Sequence, residues 1–312
     1  AEEMEKGTFG MDTVITATAR ANAMDGSVIW LNVGEEMSAY DMIRSVVIAS
    51  ANDACVAVCE YITGTEEMFV ERMNKRAQEL GMSDTHYDNC VGFDSDTHYT
   101  SAYDTALLSA AVSEYDCYNE FFATRLDYVR EGERQTQLLN TNKLMQRYDG
   151  IIGGKTGTTD KAGCCLAVWA KRGNMKLCAV ALGCKESEQR FTACTDLLNY
   201  GFSGFELYRT AVESDVLTPV TVTEGLEKQA DIRVKRLNTI VIPKGSSKRI
   251  EYTHTVVDSL SAPVQYGEKV GEVRASLDGE EIFYSDIVTT GEVGELNFFS
   301  SLLIIIRRLF SM

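Results

Sequence analysis

The chain has 312 residues, of which 45% are hydrophobic and 9% aromatic, enough to build sizeable cores in one large domain or two smaller ones. Its formal net charge is −16 with a pI near 4.7; a polyanion of this kind repels phosphate backbones, which excludes nucleic acid as a partner and leaves solubility as the reading of the acidity. Nine cysteines lie between Cys55 and Cys194, an odd number without the spacing of a disulfide framework. With no Cys-x-x-Cys pair and only His86, His98 and His254 to help, no metal site and no cofactor are expected, and most of the thiols read as small apolar residues of the core.

The chain opens on Ala1-Glu2-Glu3-Met4-Glu5-Lys6, with no initiator Met, basic n-region or apolar h-region; a removed leader or a fragment is expected. Ser38 reads as an N-cap with Asp41 three residues on, followed by a buried helix over residues 40–48 and a second over 53–62. Cys55 and Cys59, four apart, share a face of that second helix. Thr65 caps a third helix ending at Gly81, with Phe69, Met73, Ala77 and Leu80 on one face. The apolar runs 164–171 and 175–183, split by Arg172-Gly173-Asn174, predict a β-hairpin. The only prolines, Pro219, Pro243 and Pro263, fall in the last third and mark a boundary near residues 209–218. Beyond it, short alternating runs rich in Val, Ile and Thr, with a tight turn at Leu277-Asp278-Gly279-Glu280, predict a small all-β domain over 218–290.

The stretch 297–312 has a different character. It is too short and interrupted to span a bilayer. At about 100° per residue Asn297, Ser300, Ser301, Arg307, Arg308 and Ser311 share one arc, with Ile304 the single apolar intruder. The pattern predicts a helix lying in a membrane surface with arginines at the headgroups; the alternative is a helix docked on the chain's own β domain.

Three short signals carry chemistry: Ser50-Ala51-Asn52 between two predicted helices, Lys155-Thr156-Gly157 on a glycine-flanked strand before the hairpin, and Arg190 after it. Singly they read as a helix cap, a solvated turn and a surface charge. Together and in this order, the chain resembles the low-molecular-weight penicillin-binding proteins, the serine-type D-alanyl-D-alanine carboxypeptidases. The likeness also covers Asp53-Ala54-Cys55-Val56-Ala57, Leu80-Gly81-Met82-Ser83-Asp84-Thr85-His86-Tyr87, His98-Tyr99-Thr100-Ser101-Ala102, Asp160-Lys161-Ala162-Gly163 and Leu197-Leu198-Asn199-Tyr200-Gly201-Phe202.

The resemblance implies an α+β fold: a β-lactamase/DD-peptidase-like domain over 1–210, in which helices flank an antiparallel sheet, the β domain over 218–290, and an amphipathic tail helix over 295–312. It implies an extracytoplasmic enzyme on the outer face of the bacterial cytoplasmic membrane. Its substrate would be a peptidoglycan stem peptide ending in D-Ala-D-Ala, and β-lactam antibiotics would bind it. A serine attacks the penultimate carbonyl and needs a base and an oxyanion hole. By resemblance, Ser50 relays a proton toward the leaving D-alanine nitrogen, Asn52 bonds the peptide, and Lys155 supplies positive charge beside Ser50. Thr156 and Arg190 hold the terminal carboxylate, Gly157 belongs to the same strand motif, and the Thr158 N–H forms half of the oxyanion hole. Gly153 and Gly154 are expected to let substrate backbone lie close against the strand.

Two departures stand out. No serine has a lysine three residues later; in the family that Ser-x-x-Lys helix runs into a stretch resembling residues 1–7. It is therefore expected a few helical turns ahead of Ala1, and these 312 residues alone are expected to form no acyl-enzyme. Many relatives also carry His where Val91 stands. The competing readings are a non-catalytic cell-wall-binding or scaffold protein, and a serine β-lactamase of the same superfamily. The β domain and tail argue against the β-lactamase, and so does the lack of a deacylating Glu motif.

Overall fold

A computed structural model describes residues 1–211 and 217–298, apart from the side chain of Cys117. Most of the expected tail helix, residues 299–312, lies outside the described residues. The chain divides into two compact units, Ala1–Phe202 and Ser203–Met312.

The first unit mixes helices and antiparallel strands. Its elements are α1 (Glu2–Glu5), β1 (Val14–Thr16), α2 (Ala19–Asn22), β2 (Glu36–Ser38), α3 (Ala39–Ala49), α4 (Asn52–Thr63), α5 (Glu66–Glu79), α6 (Ala102–Ser113) and α7 (Asp116–Ala123). They continue through the short hairpin β3 (Leu126–Val129) and β4 (Thr136–Leu139), then α8 (Leu144–Arg147), β5 (Ile151–Thr159), β6 (Gly163–Arg172), β7 (Met175–Cys184) and α9 (Ser187–Gly204).

The caps read from the sequence are present. Ser38 Oγ accepts the Asp41 N–H at 3.1 Å to start α3, and Thr65 Oγ1 accepts the Met68 N–H at 3.2 Å to start α5, each satisfying an amide with no partner inside its helix. Ile15, Met42, Ile48 and Val56 are essentially inaccessible and centre a core among α3, α4 and β1. A second core joins the sheet to α8 and α9 through Leu166, Val168, Phe191 and Leu198. The sheet has strand order β5-β6-β7, all antiparallel, so β5 has one edge with no strand partner among the described residues.

The second unit is mainly β in its described part, with the end of α9 and a turn of 3-10 helix at Ser247–Arg249 besides. It comprises β8 (Phe205–Arg209), β9 (Val220–Thr223), β10 (Gln229–Ala230), β11 (Ile232–Val234), β12 (Thr239–Pro243), β13 (Ile250–Val256), β14 (Ser259–Ser261), β15 (Lys269–Leu277) and β16 (Glu280–Thr289). Strand order is β11-β16-β15-β13 in the main sheet, β10-β9-β14 in a second, and β8 pairs with β12. The β15–β16 turn holds Asp278 at φ 53° and Gly279 at φ 87°, left-handed at both central residues, which matches the right-handed twist of the strands it joins. Val273, Phe283 and Ile287 fill the main core. Among the described residues no helix is long and apolar enough to cross a membrane.

Ile287 is fully buried whereas Val257 is 45% exposed. Ile287→Ala is therefore expected to lower unfolding free energy by about 2–5 kcal/mol, and Val257→Ala to leave it within about 0.5 kcal/mol of the parent. Denaturant titration of the two variants measures both.

Candidate active site

The site is assembled where the α3–α4 junction meets strand β5. α3 ends because Ser50 turns left-handed, at φ 61° and ψ 37°, a conformation rarely adopted by residues with a side chain and held here by its surroundings. α4 then starts at Asn52 with no side-chain cap. Its free amides are met otherwise: the Asn52 N–H donates to Ser27 O at 2.7 Å, and Asp53 Oδ1 accepts the Ala54 N–H at 2.9 Å. The same buried carboxylate accepts the Ile29 and Leu31 N–H groups at 3.1 and 3.0 Å. Asp53 thus ties the preceding loop to the start of α4, and the Asn52 side-chain amide donates to Asp25 O at 2.8 Å.

Lys155 reaches this junction from β5. Its Nζ donates to Ser50 Oγ at 2.8 Å and to Thr156 O at 3.0 Å. Burial disfavours the ammonium and brings its pKa down to about 8; negative charge at Cys55 opposes the shift and the Arg190 guanidinium adds to it. With Ser50 Oγ occupied as an acceptor, the serine's own O–H is free to point elsewhere.

Thr156, Gly157 and Thr158 follow on the same strand. Gly157 and Thr158 are exposed, and the hydroxyls of Thr156 and Thr141 share a hydrogen bond. Arg190 sits behind them, 7% exposed. Its Nη1 donates to Gly157 O and Thr158 Oγ1, both at 3.0 Å, and to Cys165 O at 3.2 Å, while Nη2 donates to Ser187 Oγ at 3.1 Å. Nε is buried without a partner. The guanidinium fork is thus spent on the chain itself, and its charge is presented through Thr158 and Gly157.

Gly153 and Gly154 have a different reason to be glycine from the one expected. A Cβ on Gly153 would lie 2.3 Å from the Trp169 ring, and one on Gly154 would lie 2.7 Å from Asn142 Nδ2. Both positions are buried, and the space a side chain would need is filled by the protein itself. Gly157, by contrast, faces open space.

The fold brings together all seven residues singled out in the sequence. It adds others to which no role had been assigned: Asp53, whose role depends on a loop more than 20 positions away, and Asp94. Asp94 Oδ1 accepts from Thr159 Oγ1 at 2.6 Å and Oδ2 from the Lys161 N–H at 3.1 Å, which ties the loop after Gly92 to the end of β5. These bonds, the Thr159 hydroxyl first, hold the Asp94 carboxyl below its ordinary range.

The chain matches known proteins over most of its length. Residues 1–186 match the family model for D-alanyl-D-alanine carboxypeptidase, and residues 205–295 match that for the penicillin-binding protein 5 C-terminal domain. The chain is 34% identical over 303 residues to D-alanyl-D-alanine carboxypeptidase DacF of Bacillus subtilis, covering 96% of this chain and 78% of the relative. It is 30% identical over 322 residues to DacA of Escherichia coli, covering 99% and 78%. Among solved structures, penicillin-binding protein 5 of Haemophilus influenzae superposes with a TM-score of 0.81 at 27% identity, covering 94% of this chain and 86% of that one.

Lys155 gives a direct check on the electrostatics. A lysine whose folded pKa of about 8 lies below the ordinary 10.5 binds fewer protons folded than unfolded between those values. Its burial therefore opposes folding fully below pH 8, and stability is regained as pH rises toward 10.5. Lys155→Met is expected to raise stability at neutral pH by about 1–3 kcal/mol and to remove that gain between pH 8 and 10.5. Thermal melts across this range read both effects.

Proposed function

Because this chain belongs to the D-alanyl-D-alanine carboxypeptidase family, a family of serine hydrolases, we propose that its α3–α4 junction and strand β5 form the acyl-transfer site for peptidoglycan stem peptides ending in D-Ala-D-Ala. The observation that carries the reading is the Lys155 Nζ–Ser50 Oγ bond of 2.8 Å, made between residues 105 apart in sequence. Ser50, with its O–H free, passes a proton to the departing D-alanine nitrogen, and Lys155 replaces that proton from a group whose pKa near 8 makes it both proton-bearing and able to give one up. The open edge of β5 takes the substrate backbone as an added strand. Asn52 bonds the peptide, and the Thr158 N–H supplies half of the oxyanion hole. The Thr156 and Thr158 hydroxyls receive the terminal carboxylate, with the buried charge of Arg190 behind them. The β-lactams mimic the same acyl group and take the same place.

The reaction needs a serine nucleophile, and no serine among these residues has a lysine three positions later. The test therefore compares the 312 residues alone with the same residues carrying a Ser-x-x-Lys helix ahead of Ala1. The extended protein is expected to release D-alanine from a peptide ending in D-Ala-D-Ala and to form a long-lived penicilloyl adduct; the 312 residues alone are expected to do neither. Lys155→Ala in the extended protein lowers turnover by about a hundredfold or more. An extended, folded protein that binds peptidoglycan without releasing D-alanine would establish the scaffold reading instead, and rapid turnover of penicillin the β-lactamase one.

The amphipathic arc of residues 297–312 supports attachment to the outer face of the cytoplasmic membrane, with Arg307 and Arg308 at anionic headgroups. Cosedimentation with vesicles containing anionic phospholipid is expected for the intact chain and lost on deleting 297–312. Equal binding by the deleted chain excludes this anchor.

A further inference from the structure

We propose that Cys55, Cys59 and Cys90, with Glu66 as fourth donor, form a binding site for one soft divalent cation of the zinc class. Spacing had given no sign of it, because one ligand is supplied by a loop more than thirty positions from the other two thiols. α4 sets Cys55 and Cys59 one turn apart on the same face, and the loop after α5 brings Cys90 onto that face. The three sulfurs lie within 4.8 Å of one another. A tetrahedral cation bound at about 2.3 Å from each sulfur places them a little under 4 Å apart, so a small adjustment closes the set.

Glu66 completes it. The residue is 6% exposed at the start of α5, and its Oε1 faces Cys90, accepting from Sγ at 3.4 Å and from N–H at 3.3 Å. Its other oxygen, Oε2, is held by Arg20 Nη2 at 2.9 Å and Nε at 3.2 Å. A carboxylate fixed through one oxygen by a guanidinium, with the other turned to a thiol cluster, has the support that metal ligands commonly receive from the groups around them.

The thiols are already hydrogen-bonded to the groups around them: Cys55 Sγ donates to Cys90 O at 3.4 Å and Cys90 Sγ to Glu66 Oε1 at 3.4 Å. An incoming cation takes up the Glu66 carboxylate and displaces to solvent one proton from each thiol that becomes its ligand. No oxidation or reduction is involved. A disulfide would employ two of the thiols and leave out the third, so three thiols facing one another, with a carboxylate oxygen against Cys90, favour a metal. Cys55 lies three residues beyond Asn52 on α4, and a bound cation would clamp the loop at Cys90 to the helix that begins at the Ser50–Asn52 junction.

The test titrates the reduced, folded chain with Co²⁺, a spectroscopic stand-in for zinc. A thiolate-to-cobalt charge-transfer band with intense tetrahedral d–d absorption is expected, saturating at one equivalent and displaced by Zn²⁺. Zn²⁺ is expected to raise the melting temperature of the parent. Both effects disappear in Cys59→Ala and in Cys90→Ser, and persist in Cys165→Ser, whose thiol lies outside the cluster. Glu66→Gln weakens affinity about 10–100-fold. The proposal is overturned if the parent gives no tetrahedral band, if the band survives in Cys59→Ala or Cys90→Ser, or if thiol mapping of protein purified without reductant finds two of the three joined in a disulfide.

Discussion

The site depends on a buried ammonium. Lys155 is carried into the interior by a strand, and its positive charge finds no carboxylate there; it finds a serine hydroxyl and a backbone carbonyl. A charge with no carboxylate partner is tolerated in such a place only where the surroundings hold dipoles in fixed positions. The structure supplies them by bending Ser50 into a left-handed conformation at the end of α3 and by fixing the following residues through Asp53. The helical core and the sheet of the first unit thus meet at a contact that opposes stability and makes proton transfer possible.

That arrangement explains why the supporting residues are each held by several bonds. Asp53 receives amides from Ile29, Leu31 and Ala54, and the guanidinium of Arg190 is used by Gly157, Thr158, Cys165 and Ser187. Neither can swing away without leaving a buried charge unsatisfied, which is far more costly than the bonds themselves are favourable. Rigid supports of this sort keep reacting groups in place before a substrate arrives.

Much of this was legible in the sequence, and the reasons are local. The caps at Ser38 and Thr65, the hairpin at Gly173 and the turn at Gly279 depend on residues within a few positions of one another, so period and turn chemistry suffice. The three motif elements were legible as a set because their order along the chain is informative. What the sequence hid is everything made by distant pairs. Asp53 looks like an ordinary acidic residue in a first helical turn until the 26–31 loop folds over it. Cys90 looks like an isolated core thiol until its loop returns to α4. Gly153 and Gly154 were assigned to substrate access, yet the space beside them belongs to Trp169 and Asn142, which only the three-dimensional packing reveals.

The free edge of β5 has a further consequence for how copies of the molecule behave toward each other. An unpaired edge offers its amides and carbonyls to any extended chain, including the same strand of a second copy. Beyond the buried Gly153 and Gly154 the edge reads Lys155-Thr156-Gly157-Thr158-Thr159: one glycine, one lysine and no large apolar side chain. Glycine and lysine are poor strand formers, and two such edges brought together would gain little side-chain packing and set two lysines in apposition. The strand thus stays open to a short peptide while discouraging association with its own kind.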